Sequence, residues 1–516
     1  MDSLKGALGS LTPQRLQGIR RGIEKESLRA RPDGALAMTP HPAALGSALT
    51  HPHITTDFCE SQVELITGVH ASVQACVDEL TQVQRFTTSA LGDEMLWVSS
   101  MPCGLPQDDA IPIGQYGSSN VGRTKSVYRT GLGYRYGRRM QTISGIHYNW
   151  SLPGVSSEAY FGLIRNFRRH AFLLLYLFGA SPAVCSSFVA GRTHLLEALN
   201  LHTMYRPYAT SLRMGRLGYQ SDAQASLAVS YNSLQGYGDS LQDALTRPYP
   251  PYEAIGVRGP DGAYRQLGTS LLQIENEFYG TIRPKRVIFP GERPLHALRE
   301  RGVEYVEVRL MDLDPFEPVG ISAQTMRFLD VFLLHCLLTD SPPDTPQEIA
   351  ALGRNQHNVA ERGREPGLQL ECGDGTVTLT TWGLELVQQL VPIARAMDAT
   401  YGESHYLAAV QAAEQSLHHP DTLPSARVLR AVTEHFDGSF VAFAKAQSAH
   451  TKQAMLDVPL APGVRRQFEE ASQASWEDQR RIEAADTMPF DIYLQEYLSP
   501  KRLVAEKKGG HGNSQA

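Results

Sequence analysis

The chain has 516 residues, of which 42% are hydrophobic and 20% are charged, and its formal net charge is -6. This composition excludes a disordered protein, and the charge excludes a broad basic surface that would attract nucleic acid or anionic lipid. We expect two to four domains or one large enzyme domain, with any phosphate site confined to a local cluster and with neither nucleic acid nor membrane as a partner.

The cysteines and the apolar segments indicate a cytoplasmic protein. No two cysteines have C-x-x-C or zinc-like spacing, so we expect free, buried thiols in a reducing compartment. The N-terminus has no apolar run of signal-peptide length. Residues 171–190 are uncharged, but Gly179 and Pro182 interrupt them, which favours a buried helix and a turn over a membrane span. The cysteines are Cys59, Cys76, Cys103, Cys185, Cys336 and Cys372.

Short elements dominate the first part of the chain. Residues 11–70 begin with a polar helix and continue with strand-like segments and turns, and residues 71–91 show helical spacing of apolar side chains. Residues 104–137 are rich in glycine and tyrosine and are predicted as a loop. Alternation at residues 142–152 predicts a half-buried strand, which a helix follows at residues 158–178.

The second part changes from strands to helices. Strand patterns occur at residues 270–282, where Glu275 and Glu277 would share a face, and at residues 303–310. Strands early and helices late predict an α+β fold. The predicted helices span residues 322–340, 383–400, 404–416, 424–436, 440–456 and 463–496. The predicted parts are an N-terminal segment (1–14), a sheet-containing catalytic core (15–320), a mainly helical part packed on it (321–500) and a disordered tail (501–516).

Two carboxylates lie side by side on the first predicted strand. Side chains at i and i+2 of an extended chain point to the same face, so Glu24 and Glu26 emerge together. Two like charges this close repel each other unless one binds a proton or a cation lies between them. The alternative interpretation is a solvated strand face without chemical activity, with Asp57 capping a turn.

Further acidic residues follow on strand-like segments, with one histidine. Hard oxygen ligands favour Mg²⁺ or Mn²⁺ over zinc. Arg309 and the basic run at residues 283–286 lie nearby in sequence, and metal-bound carboxylates beside arginines are what phosphoryl transfer requires. The pattern therefore predicts an ATP- and Mg²⁺-dependent enzyme, against the alternatives of a surface basic cluster and a core histidine. The set comprises Glu24, Glu26, Asp57, Glu64, Glu275, Glu277, Glu307 and His147.

The common nucleotide motifs do not explain this prediction. Residues 117–124 have P-loop spacing, but Arg123 stands in place of the lysine and no buried strand precedes them. Gly131 and Gly133 lack the third glycine of a dinucleotide fingerprint. Zinc-protease, nucleophile-elbow and kinase signatures do not occur in the sequence.

Eight motifs follow one another along the chain. They are RGIEKE (21–26), THPHITTDFCESQVELIT (50–67), QYGSSN (115–120), MQTISGIHYN (140–149), YLFGASP (176–182), QIENEFY (273–279), IRPKR (282–286) and EYVEVR (304–309). Together and in this order they resemble glutamate-cysteine ligase of the proteobacterial class. The resemblance covers residues 15–490 and is densest before residue 330.

The resemblance implies a fold and a reaction. The fold would be similar to the glutamine synthetase type of carboxylate-amine ligase, in which a curved antiparallel sheet holds metals and nucleotide. ATP would phosphorylate the side-chain carboxylate of L-glutamate, and the amine of L-cysteine would attack the acyl phosphate. The products would be γ-glutamylcysteine, ADP and phosphate, in the first step of glutathione biosynthesis. Glutathione contains both substrate moieties, so inhibition by glutathione is a further expectation.

The resemblance also implies roles for individual residues. Arg309 would act on the transferring phosphoryl group together with Glu307, and the glutamate site would lie along residues 141–145. The implied metal ligands are Glu24, Glu26, Asp57, Glu64, His147 and Glu307, with Mg²⁺ or Mn²⁺ as the cofactor. The implied cysteine-pocket residues are Phe58, Tyr128, Leu132, Arg213, Tyr219 and Tyr279, although aromatic residues in such patterns are usually core residues.

Other interpretations remain open at this point. The chain is alternatively a related carboxylate-amine ligase with a different amine acceptor, or a catalytically silent homologue with a binding role. Cys59 follows Asp57 and Phe58, next to the expected metals. It is either a packed small side chain or an oxidation-sensitive thiol that switches the site off.

Overall fold

The computed structural model of the protein describes residues 8–218, 222–225, 227, 229–402 and 404–504. Most of its strands lie in the first 311 residues. The described strands are β1 (Arg20–Ala30), β2 (Ile54–Thr56), β3 (Gln62–Ile66), β4 (Met95–Leu96), β5 (Ile146–Ser151), β6 (Ala183–Cys185), β7 (Glu197–Asn200), β8 (Thr203–Tyr205), β9 (Ile282–Lys285), β10 (Tyr305–Met311), β11 (Gln369–Cys372) and β12 (Gly375–Thr378).

Helices surround these strands and form most of the C-terminal part. The early long helices begin at serine N-caps, because a serine oxygen accepts a hydrogen bond from a free backbone N–H of the first turn. The described helices are α1 (Pro13–Gln17), α2 (Val73–Ala90), α3 (Asn120–Tyr136), α4 (Ser157–Phe178), α5 (Ser186–Val189), α6 (Asp222–Ala225), α7 (Leu234–Thr246), α8 (Pro250–Ile255), α9 (Pro294–Arg301), α10 (Ala323–Leu338), α11 (Pro346–Arg362), α12 (Leu379–Tyr401), α13 (His405–His418), α14 (Pro424–His435), α15 (Phe440–Asp457), α16 (Pro462–Ala485) and α17 (Phe490–Tyr497).

The main sheet is antiparallel and has seven strands. Its order is β2-β3-β1-β5-β10-β9, and β4 pairs with the end of β1. Two smaller sheets contain β6-β8-β7 and β11-β12. An antiparallel sheet followed by a helical C-terminal part confirms the predicted α+β class.

The two faces of the main sheet have different chemistry. On one face, Ile23 lies opposite Tyr148, which lies opposite Val308, and all three side chains are buried. Helices α2 and α4 cover the sheet, and their apolar side chains belong to the same core cluster. On the other face Glu24 lies opposite His147, so the alternation of each strand separates an apolar core from a polar surface.

The glycine- and tyrosine-rich segment contains a helix, so the prediction of a loop at residues 104–137 is wrong for α3. Ser119 caps this helix by accepting a hydrogen bond from the Gly122 N–H at 3.2 Å. A Cβ at Gly122 would lie 2.2 Å from the Tyr116 carbonyl oxygen, so the helix packs closely where a side chain would not fit. Gly131 of the same helix lies close to Gln266, so glycines that suggest a loop in the sequence serve close packing within the fold.

The predicted strand at residues 270–282 is also wrong for most of its length. Residues Glu275–Glu277 form a 3₁₀ turn, and the strand pattern is confined to β9. The Glu275 carboxylate pairs with Arg293 at 2.7 Å, and that of Glu277 pairs with Arg135 at 2.8 Å. Buried ion pairs, rather than a shared strand face, hold these two acidic residues.

The C-terminal helices agree with the predicted pattern, with three differences. The run predicted at residues 463–496 is two helices, α16 and α17, and Pro489 precedes the second one. Helix α11 and the hairpin of β11 and β12 are additional elements. Of the segment predicted as a disordered tail, residues up to 503 complete a 3₁₀ turn with a buried Leu503, and residues 505–516 lie outside the described residues.

The expectation that all cysteines are free and buried is wrong. Cys103 and Cys185 form a disulfide across 82 residues, and their Cα atoms are 5.5 Å apart. Cys372 is exposed, whereas Cys59, Cys76 and Cys336 are free and buried. Sequence spacing contains no sign of such a pair, because the fold alone brings β6 next to the loop of Cys103.

Residues 171–190 turn out as the sequence indicates, with the end of α4, a turn and the short strand β6. Among the described helices, none has the length and hydropathy needed to cross a membrane.

A buried ion pair joins the sheet to the helices behind it. The Arg21 guanidinium of β1 lies 2.9 Å from the Asp330 carboxylate of α10, and both side chains are 0% exposed. The Tyr148 hydroxyl of β5 donates to the same carboxylate at 2.8 Å. This arrangement fixes the register of two central strands against α10.

We expect Asp330→Asn to lower the free energy of unfolding by about 3–5 kcal/mol, since it leaves the Arg21 charge buried without its partner. Urea unfolding followed by tryptophan fluorescence measures this change. Glu371→Gln, which removes the exposed partner of Arg354, is the matched control and should leave the midpoint nearly unchanged. Equal midpoints for the two variants would contradict the importance of the buried pair.

Candidate active site

A cavity of about 440 Å³ opens on the polar face of the main sheet. This volume lies within the range of small-molecule sites. Strands β1, β3, β5, β9 and β10 contribute to its lining together with α3, the loop before α9, and α17. The lining contains ten of the predicted site residues, namely Glu24, Asp57, Phe58, Glu64, Tyr128, Leu132, His147, Tyr279, Glu307 and Arg309.

Among the described residues, two predicted ones, Glu26 and Arg213, do not line this cavity. Glu26 lies directly behind it, with a carboxylate oxygen 3.7 Å from Nε2 of His147. Arg213 is 1% exposed and donates from Nη2 to the Arg309 carbonyl oxygen at 3.0 Å. Tyr219 lies outside the described residues.

Glu24, Glu64 and His147 converge at the centre of the cavity. Glu24 and His147 are paired across β1 and β5, and Glu26 and Glu64 across β1 and β3. One potential ligand atom from each of Glu24, Glu64 and His147 lies within 4.8 Å of the other two. The Glu24 carboxylate also lies 3.1 Å from Nδ1 of His147 and accepts from the Asn149 amide at 2.9 Å.

Burial and the repulsion between like charges make it unfavourable for all carboxylates of this centre to be ionised without a cation nearby. The pKa of Glu64 is raised well above its usual range by burial and by the neighbouring Glu24, Asp57 and Glu26 carboxylates. Burial, with Asp57, raises the pKa of Glu26 to about 8. A nearby cation would remove this repulsion without protonation of any carboxylate.

The histidine of the centre suits a metal ion. Burial, with the adjacent Arg309 guanidinium, lowers the pKa of His147, so that its imidazole is neutral and can act as a ligand. Its Nε2 atom is buried and has no hydrogen-bond partner among the described residues. An unpaired ring nitrogen beside crowded carboxylates fits a divalent cation, and the oxygen-rich donor set fits Mg²⁺ or Mn²⁺.

Glu307 connects this centre to a group of cations. Its carboxylate lies 3.0 Å from the Arg309 guanidinium and 3.1 Å from the Lys285 ammonium. Burial alone would raise the pKa of Glu307, but Lys285 and Arg309 lower it well below its usual range. The carboxylate therefore stays ionised and holds both cations beside the metal-type centre.

The predicted pocket residues form a second part of the lining. Phe58, Tyr128 and Leu132 come from the segment after β2 and from α3. The Gln141 amide donates to the Tyr279 hydroxyl at 3.0 Å, so the expected glutamate segment reaches the same wall. A Cβ at Gly145 would lie 2.0 Å from Nη2 of Arg213, so only glycine lets the Arg213 guanidinium approach this segment.

Two basic residues on α3 line the cavity although the sequence analysis does not predict them as site residues. Lys125 and Arg129 line the cavity one helical turn apart, and the Arg129 guanidinium packs on the Tyr116 ring with a 4.5 Å separation. The i, i+4 spacing of two cations was available in the sequence as a signal, but it has a meaning only once the segment is known to be a helix.

Tyr493 and Tyr497 of α17 also line the cavity without having been predicted. Their rings stack 6.1 Å apart, since i and i+4 share a helix face. The Asn120 amide of α3 donates to Asp486 at 2.6 Å and holds the start of this C-terminal segment. The spacing predicts that the two rings share one face of the helix, but not that this face reaches the cavity.

Cys59 behaves as a packed side chain. It is 0% exposed, and burial raises the pKa of its thiol to about 12. Reactive cysteines are accessible and have a lowered pKa. The structure therefore favours the interpretation of a packed residue over that of an oxidation-sensitive thiol.

The sequence relatives of the chain agree with the geometry of the site. The sequence profile of a family described as glutamate-cysteine ligase matches residues 9–359. A glutamate-cysteine ligase of Alcanivorax borkumensis is 47% identical over 506 residues, which cover 94% of this chain and 96% of the relative. One of Saccharophagus degradans is 46% identical over 515 residues, which cover 95% of this chain and 96% of the relative.

Solved structures agree with these relatives. A glutamate-cysteine ligase of Francisella tularensis in complex with AMP aligns with a TM-score of 0.89 and 37% identity, covering 93% of this chain and 97% of that one. A bifunctional glutathione synthetase of Pasteurella multocida has a TM-score of 0.67 and 23% identity over 91% of this chain and 57% of that one, which shows a shared fold alone. With the matched profile covering more than half of the sequence, the chain belongs to the glutamate-cysteine ligase family of enzymes.

Proposed function

We propose that the chain joins the side-chain carboxylate of L-glutamate to the amine of L-cysteine at the expense of ATP. The reaction passes through γ-glutamyl phosphate and yields γ-glutamylcysteine, ADP and phosphate, as the first step of glutathione biosynthesis. The observation that carries the proposal is the convergence of Glu24, Glu64 and His147 beside the Glu307-bound Arg309 and Lys285 in one cavity. A cytoplasmic location remains a prediction.

Six residues would hold the divalent cations, Mg²⁺ or Mn²⁺. The crowded carboxylates and the unpaired Nε2 of His147 support this assignment. A bound Mg²⁺ supplies charge neutralisation of the ATP phosphates. Asn149 and the Gly145 N–H hold the Glu24 and Glu26 carboxylates by hydrogen bonds of 2.9 Å and 2.8 Å. The proposed ligands are Glu24, Glu26, Asp57, Glu64, His147 and Glu307.

Arg309 is the proposed catalytic cation for phosphoryl transfer. A carboxylate is a poor electrophile, and its phosphorylation develops negative charge that a fixed guanidinium stabilises. Glu307 orients Arg309 and Lys285 by its two carboxylate oxygens at 3.0 Å and 3.1 Å. Because these contacts are formed before substrate binds, little reorganisation is needed at the moment of reaction.

The aromatic part of the lining is the proposed cysteine pocket. Tyr128, Leu132 and Phe58 offer apolar contact for the short thiol side chain, and Tyr279 offers a hydroxyl. Arg213 and Tyr219 are proposed to complete the pocket on the family resemblance.

A third part of the lining suits the adenine ring of ATP. Ile288 and Pro294 contribute apolar surface, and Tyr493 and Tyr497 contribute aromatic faces. Flat apolar walls of this kind stack on a purine base. The AMP bound to the related enzyme of Francisella tularensis supports a nucleotide in this cavity.

We expect ADP release with ATP, Mg²⁺ and L-glutamate to depend on L-cysteine. In Glu24→Gln the rate should fall about 100-fold or more, because a neutral amide binds the cation weakly and the charge stabilisation that the cation supplies is lost. A coupled assay of ADP measures this. Glu371→Gln, an exposed carboxylate on β11, is the control and should keep full activity. Faster turnover with another amine would contradict the cysteine assignment, and unchanged activity of Glu24→Gln would contradict the metal assignment.

The charge of Lys125 gives a pH-dependent prediction. Burial, with Arg129 nearby, lowers the pKa of the Lys125 ammonium to about 8, so its charge is mostly present at pH 7 and is lost as the pH rises through that value. A hydrogen bond between the charged Lys125 ammonium and ATP would contribute about 1.5 kcal/mol. Because this charge is lost, we expect the KM for ATP to rise about tenfold between pH 7 and pH 9. Steady-state kinetics across this range measures the effect.

Two variants separate Lys125 from other titrating groups. Lys125→Met should show the raised KM already at pH 7, with a flat profile, and Lys125→Arg should keep the low KM at both values because a guanidinium stays charged. A wild-type profile in Lys125→Met would assign the pH dependence to another residue.

We propose that glutathione inhibits the enzyme by occupying the glutamate and cysteine parts of the cavity together. The apparent KM for L-glutamate should then rise with glutathione concentration while kcat stays constant. Initial rates over a matrix of both concentrations measure this pattern. An unchanged rate at millimolar glutathione would rule the inhibition out.

A further inference from the structure

A second group of metal-ligating side chains lies behind the main sheet, outside the cavity described above. His170 belongs to α4, and His335 and Cys336 belong to α10. One nitrogen of each imidazole and the Cys336 sulfur lie within 4.8 Å of one another. The side chains of His335 and Cys336 are fully buried, and His170 is partly exposed.

The hydrogen bonds of these histidines leave two ring nitrogens unsatisfied. Nε2 of His335 lies 3.1 Å from the Gln389 amide oxygen of α12, which places the ring proton on Nε2 and leaves a lone pair on Nδ1. Within the described part of the chain, the buried Nδ1 atoms of His170 and His335 have no hydrogen-bond partner. Buried polar atoms normally have a hydrogen-bond partner, so the two Nδ1 atoms are candidates for binding a ligand.

The protonation states of the two histidines favour a bound cation over a buried ion pair. Burial, with the neighbouring His335, lowers the pKa of His170 to about 3, and burial also lowers the pKa of His335. Both imidazoles are therefore neutral and available as ligands. A histidine that donates its other ring N–H to a fixed oxygen, as His335 does to Gln389, is the usual arrangement around a protein-bound metal.

We propose that His170, His335 and Cys336 form a binding site for Zn²⁺ that is separate from the carboxylate centre of the cavity. Two imidazole nitrogens and one thiolate are the donors that zinc prefers, whereas oxygen donors dominate the cavity. On binding, the Cys336 thiol releases its proton to solvent and the sulfur bonds to the metal, with no change of oxidation state. The partial exposure of His170 leaves access for a water molecule as fourth ligand.

Such a site would tie two helices together. Helix α4 packs on both α10 and the strands β9 and β10, which carry Lys285, Glu307 and Arg309. A metal bonded to His170 and to His335 would restrain α4 against α10. We therefore expect zinc to raise the thermal unfolding temperature of the full chain.

Cobalt distinguishes this site from the cavity, because Co²⁺ bonded to a thiolate has a charge-transfer band that oxygen and imidazole ligands do not produce. The full-length protein, with its Cys103–Cys185 disulfide intact and its other cysteines as free thiols, is titrated with Co²⁺ in excess Mg²⁺. We expect the band in the wild type and in Glu64→Gln, and its loss in Cys336→Ala. Cys372→Ser and Cys76→Ala, which remove an exposed and a buried thiol elsewhere, should keep it.

Zinc affinity, measured by competition with a chromogenic chelator, provides the second readout. His170→Gln should abolish one equivalent of tight zinc binding, and Gln389→Leu should weaken that equivalent about 10–100-fold, since it removes only the partner of the His335 ring. Circular dichroism verifies the fold of each variant, and the partly exposed His170 is the position that tolerates change best. The assay needs no turnover, so its outcome is independent of the ligase activity.

Two results would overturn the proposal. One is a wild-type protein that lacks the thiolate band although its thiols are reduced. The other is an equal zinc stoichiometry and affinity in the wild type, Cys336→Ala and His170→Gln.

Discussion

Repulsion between carboxylates is the constraint on which the rest of the molecule depends. Glu24, Glu26 and Glu64 occupy neighbouring positions on β1 and β3, where Glu26 is buried and Glu24 and Glu64 are half-buried in the cavity wall. Such an arrangement is unfavourable by itself in a medium of low dielectric constant. The chain keeps it because the strands are held in place from behind by an apolar face, and because cations complete the charge balance in front.

The apolar face and the cations have complementary tasks. Ile23, Tyr148 and Val308 pack across three strands and keep the carboxylates from moving apart, since slipping a strand by one residue would send every acidic side chain into the core. In front, Lys285 and Arg309 are fixed by Glu307. In this half of the site the protein itself supplies two cations for one carboxylate, whereas the carboxylates around Glu64 depend on a bound cation.

Sequence reasoning found what depends on local pattern and missed what depends on distant contacts. Alternation predicts β5 and β10, and the i, i+2 spacing of Glu24 and Glu26 predicts the metal-type face. Helix α3 was missed because one of its glycines, Gly131, packs closely against Gln266, which is distant in sequence. The Cys103–Cys185 disulfide joins positions 82 residues apart and was missed for the same reason. The roles of the pocket aromatics came from family resemblance alone.

The position of α17 affects how the cavity forms during synthesis of the protein on the ribosome. Tyr493 and Tyr497 wall the same cavity as Glu24, although more than nine-tenths of the 516 residues separate them. Domains generally fold from the N-terminal end during synthesis, so the main sheet can form well before this wall arrives. A ribosome-bound chain therefore carries its charged centre with one side open to solvent, and a complete cavity exists only after Tyr493 and Tyr497 have been synthesised.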